Sequence, residues 1–586
     1  MNKLIEQLNA NHWLKLALVF IVCFALYGKT LRYQLVLDDD LVISNSFVQE
    51  GVAGIPKIVT SGYLAGFNGE STTYRPMPLV MFAIEKSLFD GKPLQSRFIH
   101  ILMYVLAGLF LWKMLLFWFP NQKMLAFIVT LLFLAHPIHT EVVANLKSRD
   151  ELLAFLFFTL MFISFHRYVQ VKQIRSLLFS LLWFLLAMLS KESAVMLLVL
   201  VPLSLWFIYR QSMLNMAKMT WPFLAVFVVY FGLRWLVLGD QNAPEERFII
   251  NNAFVHATGA LDRITNSAHL LYLYFAKTIW PTQLSWDYSF STIKAIAPSS
   301  AIGLFSLVFA GVLVVVLAVF TPKKSTLVFL LSAFILMLIP VLNLFILIGA
   351  NFAERFLFLP SLFLVIAVVW LVFEATSKFQ VAKNRTALSI IFVAVFLLFS
   401  GQTINRNTDW ESNETLFAAS LITNPESARV QTSVGTVYRQ KAEQSRQQQT
   451  QAVNYEKSVK HYKQAIEILP ETYDAWYNLG VIYQSTGATD LAQNAFEEVL
   501  QIDETHPDAR NNLGVIFINQ GSLDEAEQML LKAIEYKPNH TGALGNLGVV
   551  YHNKKQFDLA RNYYQKSLTI NPNQPIMIKN LGLLKP

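Results

Sequence analysis

At 586 residues, 54% of them hydrophobic and only 15% charged, the chain is too apolar for a soluble protein of this size and reads as a polytopic membrane protein. Its net charge of +8 would suggest nucleic acid in a soluble chain. Here much of the excess falls in short loops between apolar runs, where it marks topology, and no nucleic-acid partner is expected. The single cysteine, Cys23, excludes an intrachain disulfide.

In chain order the apolar runs fall at 13–31, 98–119, 123–136, 152–168, 176–190, 194–209, 220–238, 301–320, 326–348, 356–373 and 386–402. An all-α membrane domain of about eleven transmembrane helices is therefore expected over 1–402. The first run follows Lys3 and has no small-x-small cleavage site before Leu31, so it is expected to remain as a helix. Alternate connections carry Lys123; Arg167, Lys172 and Arg175; Arg210 and Lys218; Lys323 and Lys324; and Lys378, Lys383 and Arg385. The positive-inside rule makes these faces cytoplasmic. The N-terminus is then cytoplasmic, and 32–97, 137–151, Lys191-Glu192, 239–300, 349–355 and everything after Gln402 face outward. The compact loops favour a bacterial inner membrane with periplasmic repeats, the alternative being an endoplasmic reticulum with lumenal ones.

Three runs need separate treatment. The stretch 78–89 is too short to span and carries Glu85 and Lys86, which predicts an interfacial helix in outer loop 32–97. A single crossing at 266–280 would invert every later loop, so that run reads as re-entrant or interfacial. The run 123–136 makes only about 20 Å of helix, which puts its outer end inside protein or a water-filled cavity.

After a linker and first solenoid helix at 403–425, Asn478, Asn512, Asn546 and Asn580 recur at 34-residue spacing within Asn-Leu-Gly motifs. This is the tetratricopeptide period, supported by Ala492, Ala526 and Ala560 and by Pro538 and Pro572. An earlier copy at Gly435 precedes Gly480 by 45 residues, one period plus an eleven-residue insertion near 443–452. About four repeats over 426–586 form an α-solenoid, whose concave surface would bind a polypeptide or dock on another domain.

The outward loops gather ionisable residues. Asp38, Asp39 and Asp40 follow the first apolar run, and such a triplet takes a proton, holds a cation or stays hydrated. Beyond it come Arg75, then His136, His139 and Glu141, then Arg149-Asp150-Glu151, Lys191-Glu192, Asp287 and Glu354-Arg355. An enzyme using a lipid-phosphate donor needs a carboxylate to deprotonate the acceptor and cations to stabilise the leaving phosphate. Each group taken alone also reads as snorkelling or a topology marker. The His136, His139 and Glu141 cluster lacks the spacing of zinc hydrolases and is interrupted by Pro137, which favours packing at a helix end. A divalent cation, Mg or Mn, stays open at Asp38 to Asp40.

In this order and on these faces, Val36-Leu37-Asp38-Asp39-Asp40, Tyr74-Arg75-Pro76, His136-Pro137-Ile138-His139-Thr140-Glu141, Ser190-Lys191-Glu192 and Glu354-Arg355-Phe356-Leu357-Phe358-Leu359-Pro360-Ser361, followed by repeats, resemble the transmembrane-and-tetratricopeptide-repeat O-mannosyltransferase family. The resemblance implies a GT-C glycosyltransferase fold, an acidic catalytic motif in the first outer loop, and inverting transfer from a polyprenyl-phosphate sugar outside the cytoplasm. Carried over by position, Asp39 is the expected base, with Asp38 or Asp40 orienting it or holding a cation. Arg75, His139, Glu141, Arg149, Lys191, Glu354 and Arg355 are expected at the donor or acceptor. The expected reaction places a sugar, mannose in the animal relatives, on Ser or Thr hydroxyls of an exported polypeptide bound by the repeats. An envelope polysaccharide or lipid acceptor and a non-catalytic scaffold are the alternatives.

Overall fold

The computed structural model describes residues 12–67, 72–239, 250, 252–257, 259–378 and 385–584, and among them every regular element is helical. Lys3 and Lys383, used above for topology, and most of 239–252 lie outside the described residues. The chain divides into two compact units, Met1–Thr423 and Asn424–Pro586.

Among the described residues of the first unit, seven helices are long and apolar enough to cross a membrane: Trp13–Arg32, Pro93–Trp118, Leu146–Val171, Met213–Leu238, Ala301–Phe320, Glu354–Thr376 and Leu388–Asp409. Lys123–Leu134 and Pro137–Ala144 make an eighth if the pair, bent by 53°, is one span. The expected count of eleven is not confirmed among the described residues. The remaining three runs are the shorter apolar helices Ile174–Ser190, Glu192–Phe207 and Thr326–Val341, none above 17 residues. At 1.5 Å per residue such a helix is about 25 Å long or less, short of a roughly 30 Å hydrocarbon core. Two of them tighten into 3-10 turns at Glu192–Met196 and Ile339–Val341, beside charged loops.

The bend after Leu134 has a local cause, because Pro137 cannot continue the helical hydrogen-bond ladder. The segment beyond it is enclosed by protein, with His136, His139 and Thr140 wholly buried. Around it Phe133, Phe155 and Phe358 meet at centroid distances of 4.9 to 5.6 Å and form the centre of a continuous aromatic core. Met213–Leu238, Ala301–Phe320 and Leu388–Asp409 instead leave most of their apolar residues exposed, as lipid-facing helices do.

The stretch expected to be interfacial is the helix Pro76–Phe89, whose buried Leu79, Phe82 and Ala83 join Val42, Val48, Ile58, Tyr63 and Leu146 in a small core of their own. The run 266–280 belongs to one unbroken helix, Ala260–Ile279, and not to a bent re-entrant pair. The last apolar helix runs past the expected boundary at 402 to Asp409, since its polar end is bonded on both sides. Thr403 donates to the Ala135 carbonyl at 2.8 Å, and Arg406 pairs with Asp409 at 2.8 Å.

The second unit is four helix pairs, Ala428–Gln444 with Gln448–Ile468, Tyr473–Ser485 with Thr489–Ile502, Pro507–Gln520 with Leu523–Tyr536 and Thr541–Asn553 with Phe557–Ile570, followed by Pro575–Leu583. The recurring glycine lets each pair close: a Cβ at Gly480 would lie 2.6 Å from the Phe496 ring, and one at Gly548 2.4 Å from Tyr564. The eleven-residue insertion is taken up as helix. Its pair has 17 and 21 residues where the next has 13 and 14.

Candidate active site

The acidic triplet is split by the backbone. Leu37 adopts φ +50°, the left-handed region, and turns the chain into the short helix Asp39–Ile43. Asp39 is wholly buried. Its Oδ1 accepts from the Lys147 N–H at 2.9 Å, its Oδ2 accepts from the Val36 N–H at 3.2 Å, and Arg97 stands 3.4 Å away. Arg97 also donates to the carbonyls of Ala144 and Gln34. Burial raises the Asp39 carboxyl to about 6, against the pull of Arg97 and of the surrounding backbone N–H groups. Asp40 is exposed and accepts from the Ser44 hydroxyl at 2.6 Å. Asp38 is exposed, and among the described residues its carboxylate accepts no hydrogen bond.

The three carboxylates therefore diverge, and no group of three or more His, Cys, Asp or Glu side chains converges among the described residues. This donor arrangement does not fit a chelated divalent ion. The charge of Asp38 acts on Arg355. Together with burial and Asp150 it also raises the Tyr63 phenol well above its ordinary range.

Beside this loop lies a lattice of ion pairs. Arg75, just ahead of the helix Pro76–Phe89, reaches Asp150 at 3.0 Å and Glu192 at 3.4 Å. Burial works against its charge, but Asp150 and Glu192 outweigh that and hold the guanidinium ionised above its ordinary value. Lys191, where the helix Ile174–Ser190 ends, reaches Asp150 at 2.9 Å and Glu151 at 3.0 Å. Both carboxylates stand in the first turn of the helix Arg149–Val171, where the helix dipole favours them. Arg234 lies 3.5 Å from Glu192, and Arg355 lies 2.6 Å from Glu141, whose other oxygen accepts the Arg355 N–H at 2.9 Å.

These residues border a cavity of about 660 Å³ lined by Arg75, Lys147, Lys191, Arg234 and Arg355, by Glu151 and Glu192, and on its apolar side by Tyr230, Phe231, Met337 and Phe356. A cationic wall facing an aromatic and aliphatic one suits an amphiphile with an anionic head.

Of the residues expected at the donor or acceptor, Arg75, Lys191 and Arg355 reach the cavity, and Glu141 acts on it through Arg355. The others are spent on packing. Arg149, wholly buried, pairs with Glu85 at 2.6 Å, donates to the Ser96 carbonyl at 3.0 Å and lies 3.8 Å from the Phe82 ring centre. His139 bonds the Phe133 carbonyl at 2.8 Å and the Ser361 hydroxyl at 2.9 Å, while His136 bonds the Thr278 carbonyl at 2.8 Å. Glu354 accepts from the Ser285 N–H and the Tyr288 hydroxyl, both at 2.6 Å, and faces Arg406 at 3.7 Å. Sequence reasoning missed Lys147 and Arg234 as cavity residues. A charge inside the apolar run 220–238 was a signal for Arg234. Nothing local distinguished Lys147.

Residues 74–235 match the family model described as dolichyl-phosphate-mannose-protein mannosyltransferase, and 454–487, 486–544 and 542–574 match tetratricopeptide repeat models. The chain is similar to protein O-mannosyl-transferases. It is 25% identical to human protein O-mannosyl-transferase TMTC3 over 72% of this chain and 48% of that one. It is 26% identical to protein O-mannosyl-transferase F38B6.6 of Caenorhabditis elegans over 70% and 58%. Human protein O-mannosyl-transferase TMTC1 is 25% identical over 78% and 56%. The chain thus spans about half the length of the curated relatives it matches. The segment matched by the mannosyltransferase model contains Arg75, Lys147, Glu151, Lys191, Glu192 and Arg234, and leaves out Asp38 to Asp40 and Arg355.

Proposed function

We propose that this integral membrane protein is a GT-C-type mannosyltransferase that moves one sugar from a polyprenyl phosphate onto a Ser or Thr hydroxyl of an exported polypeptide, on the outer face of the membrane. The observation that carries this reading is the amphiphilic cavity, cationic on one wall and apolar on the other, beside an exposed carboxylate whose charge acts on one of its cations. Its cationic wall comes largely from the segment similar to mannosyltransferases.

Asp38, and not the enclosed Asp39, is the base. It takes the acceptor hydroxyl proton as the acceptor oxygen bonds to the anomeric carbon, while the bond from that carbon to the phosphate oxygen breaks. The lipid phosphate leaves with the electron pair, and attack opposite the leaving group inverts the configuration. Arg355, held by both oxygens of Glu141, meets the growing phosphate charge. Polar residues on the helix pairs offer the acceptor chain a surface.

The test is transfer of labelled mannose from a polyprenyl phosphate to exported proteins by the purified full-length chain in vesicles. Transfer is expected, with loss of at least about a hundredfold in Arg355→Ala, the range seen when one electrostatic stabiliser is removed. Label in envelope polysaccharide or lipid with none in protein moves the acceptor class. No transfer to any acceptor, with activity in cells that depends on the repeats and not on Asp38, makes the chain a scaffold.

A further inference from the structure

The five cations of the cavity wall are not equivalent. Arg75 has Asp150 and Glu192, Lys191 has Asp150 and Glu151, Arg234 has Glu192, and Arg355 has Glu141, all within 3.5 Å. Lys147 lines the same cavity, and among the described residues its ammonium makes no ion pair or hydrogen bond. The two acids of the wall, Glu151 and Glu192, are already engaged. Lys147 is thus the cavity cation that no carboxylate touches, since Asp150, already paired with Arg75 and Lys191, acts on it only from beyond contact, and a sugar phosphodiester carries one unit of negative charge.

The backbone aims this side chain. Lys147 sits in the tight turn Leu146–Ser148, and its N–H is shared by Asn145 Oδ1 and Asp39 Oδ1, both at 2.9 Å. Asp39 is held in turn by Arg97, which also grips the Ala144 carbonyl at 2.8 Å at the start of the same turn. A wholly buried carboxylate in the acidic loop therefore ends on the backbone of the unpaired lysine.

We propose that Lys147 is the residue that binds the phosphate of the lipid-linked donor, and that Asp39 is a positioning residue that acts through it. This rests on the reading above for the donor class, yet it makes a demand of its own. Removing Lys147 weakens phosphate-lipid binding while the chemical step survives, whereas a structural role for the turn would lower turnover and stability together. Arg355 is left to take the charge that develops as the phosphate departs.

The experiment uses the full-length protein in detergent, with a short polyprenyl monophosphate as the probe in native mass spectrometry and mannosyl-phosphate polyprenol as the donor in transfer assays. Lys147→Met is expected to weaken probe binding and raise the donor KM roughly tenfold or more, with kcat within about threefold and Lys147→Arg restoring most of the loss, as for a charge-assisted contact. Asp39→Ala is expected to raise KM several-fold. Asp39→Asn, which keeps an acceptor for the Lys147 N–H, should recover most of it, and Asp39→Ala should add less than about twofold on top of Lys147→Met. Wild-type binding by Lys147→Met, or full additivity of the two changes, overturns the proposal. Equal loss of phosphatidylglycerol and polyprenyl phosphate makes Lys147 a general anionic-lipid contact and also overturns it. Lys147-dependent probe binding without sugar transfer to any acceptor leaves this proposal standing and removes the transferase reading. Transfer with an unchanged Lys147→Met does the reverse.

Discussion

Substituting the two neighbouring aspartates separates a chemical role from a scaffolding one. Asp38 is exposed and its carboxylate accepts no hydrogen bond among the described residues, so Asp38→Asn should change stability by no more than about 0.5 kcal/mol. As the general base it supplies about 10² to 10⁴ in rate, or roughly 3–5.5 kcal/mol of barrier. Asp39 is different. Its ionised form gains from Arg97 at 3.4 Å and from two backbone donors, but burial outweighs these and leaves the carboxyl raised to about 6. A neutral amide of the same shape removes that penalty but turns its NH2 against the donors at one oxygen and leaves buried Arg97 unpaired. These terms largely offset, so Asp39→Asn should stay within about 3 kcal/mol of wild type at pH 7.5 and keep transfer within about tenfold. Mannose transfer and thermal unfolding measured on the same detergent-purified samples decide the matter. If Asp38→Asn retains activity within tenfold while folded Asp39→Asn loses at least a hundredfold, the base is Asp39 and its enclosure has been misread.

The same shift predicts a pH dependence. Between the unfolded value of 3.8 and about 6 the native carboxyl of Asp39 holds a proton that the unfolded chain has released, so this group makes stability fall as pH rises through that window. The loss reaches about 3 kcal/mol above pH 6, and it should vanish in Asp39→Asn. Unfolding midpoints of the two proteins from pH 4 to 7.5 test this, and a constant gap between them contradicts the shift. In the repeats, Gly548→Ala places a Cβ 2.4 Å from the ring of the wholly buried Tyr564. The helix pair must part, at a cost of about 1–3 kcal/mol that exceeds the gain of about 1 kcal/mol in helix propensity. A lower midpoint for the repeat transition is expected, and an unchanged or higher one is inconsistent with so close an approach.

Much of the fold was legible because its causes are local. Each of the eleven apolar runs carries a helix, since hydropathy and helix formation depend on neighbours within a few turns, but three helices are too short to meet the length of a span and the run 326–348 leaves its helix after Val341. The repeats were legible for the same reason. Gly480 and Phe496, or Gly548 and Tyr564, meet within one unit, so the period carries the contact. Even the insertion stayed local, as extra turns at facing ends of one helix pair.

The site was less legible because ionisable groups were judged by position along the chain. Arg149 and Lys147 stand two residues apart, yet the first turns inward to Glu85 while the second lines the cavity. Glu354 and Arg355 are adjacent and serve different partners, Arg406 and Glu141.

By itself the sequence determined the class of the protein, a helical membrane domain joined to a tetratricopeptide solenoid, together with the set of loop charges. Only the tertiary structure decided which charges cancel and which remain available. Ion pairing and burial depend on what residues far apart in the chain bring within a few ångströms, as Asp39 and Lys147 are brought together across 108 positions.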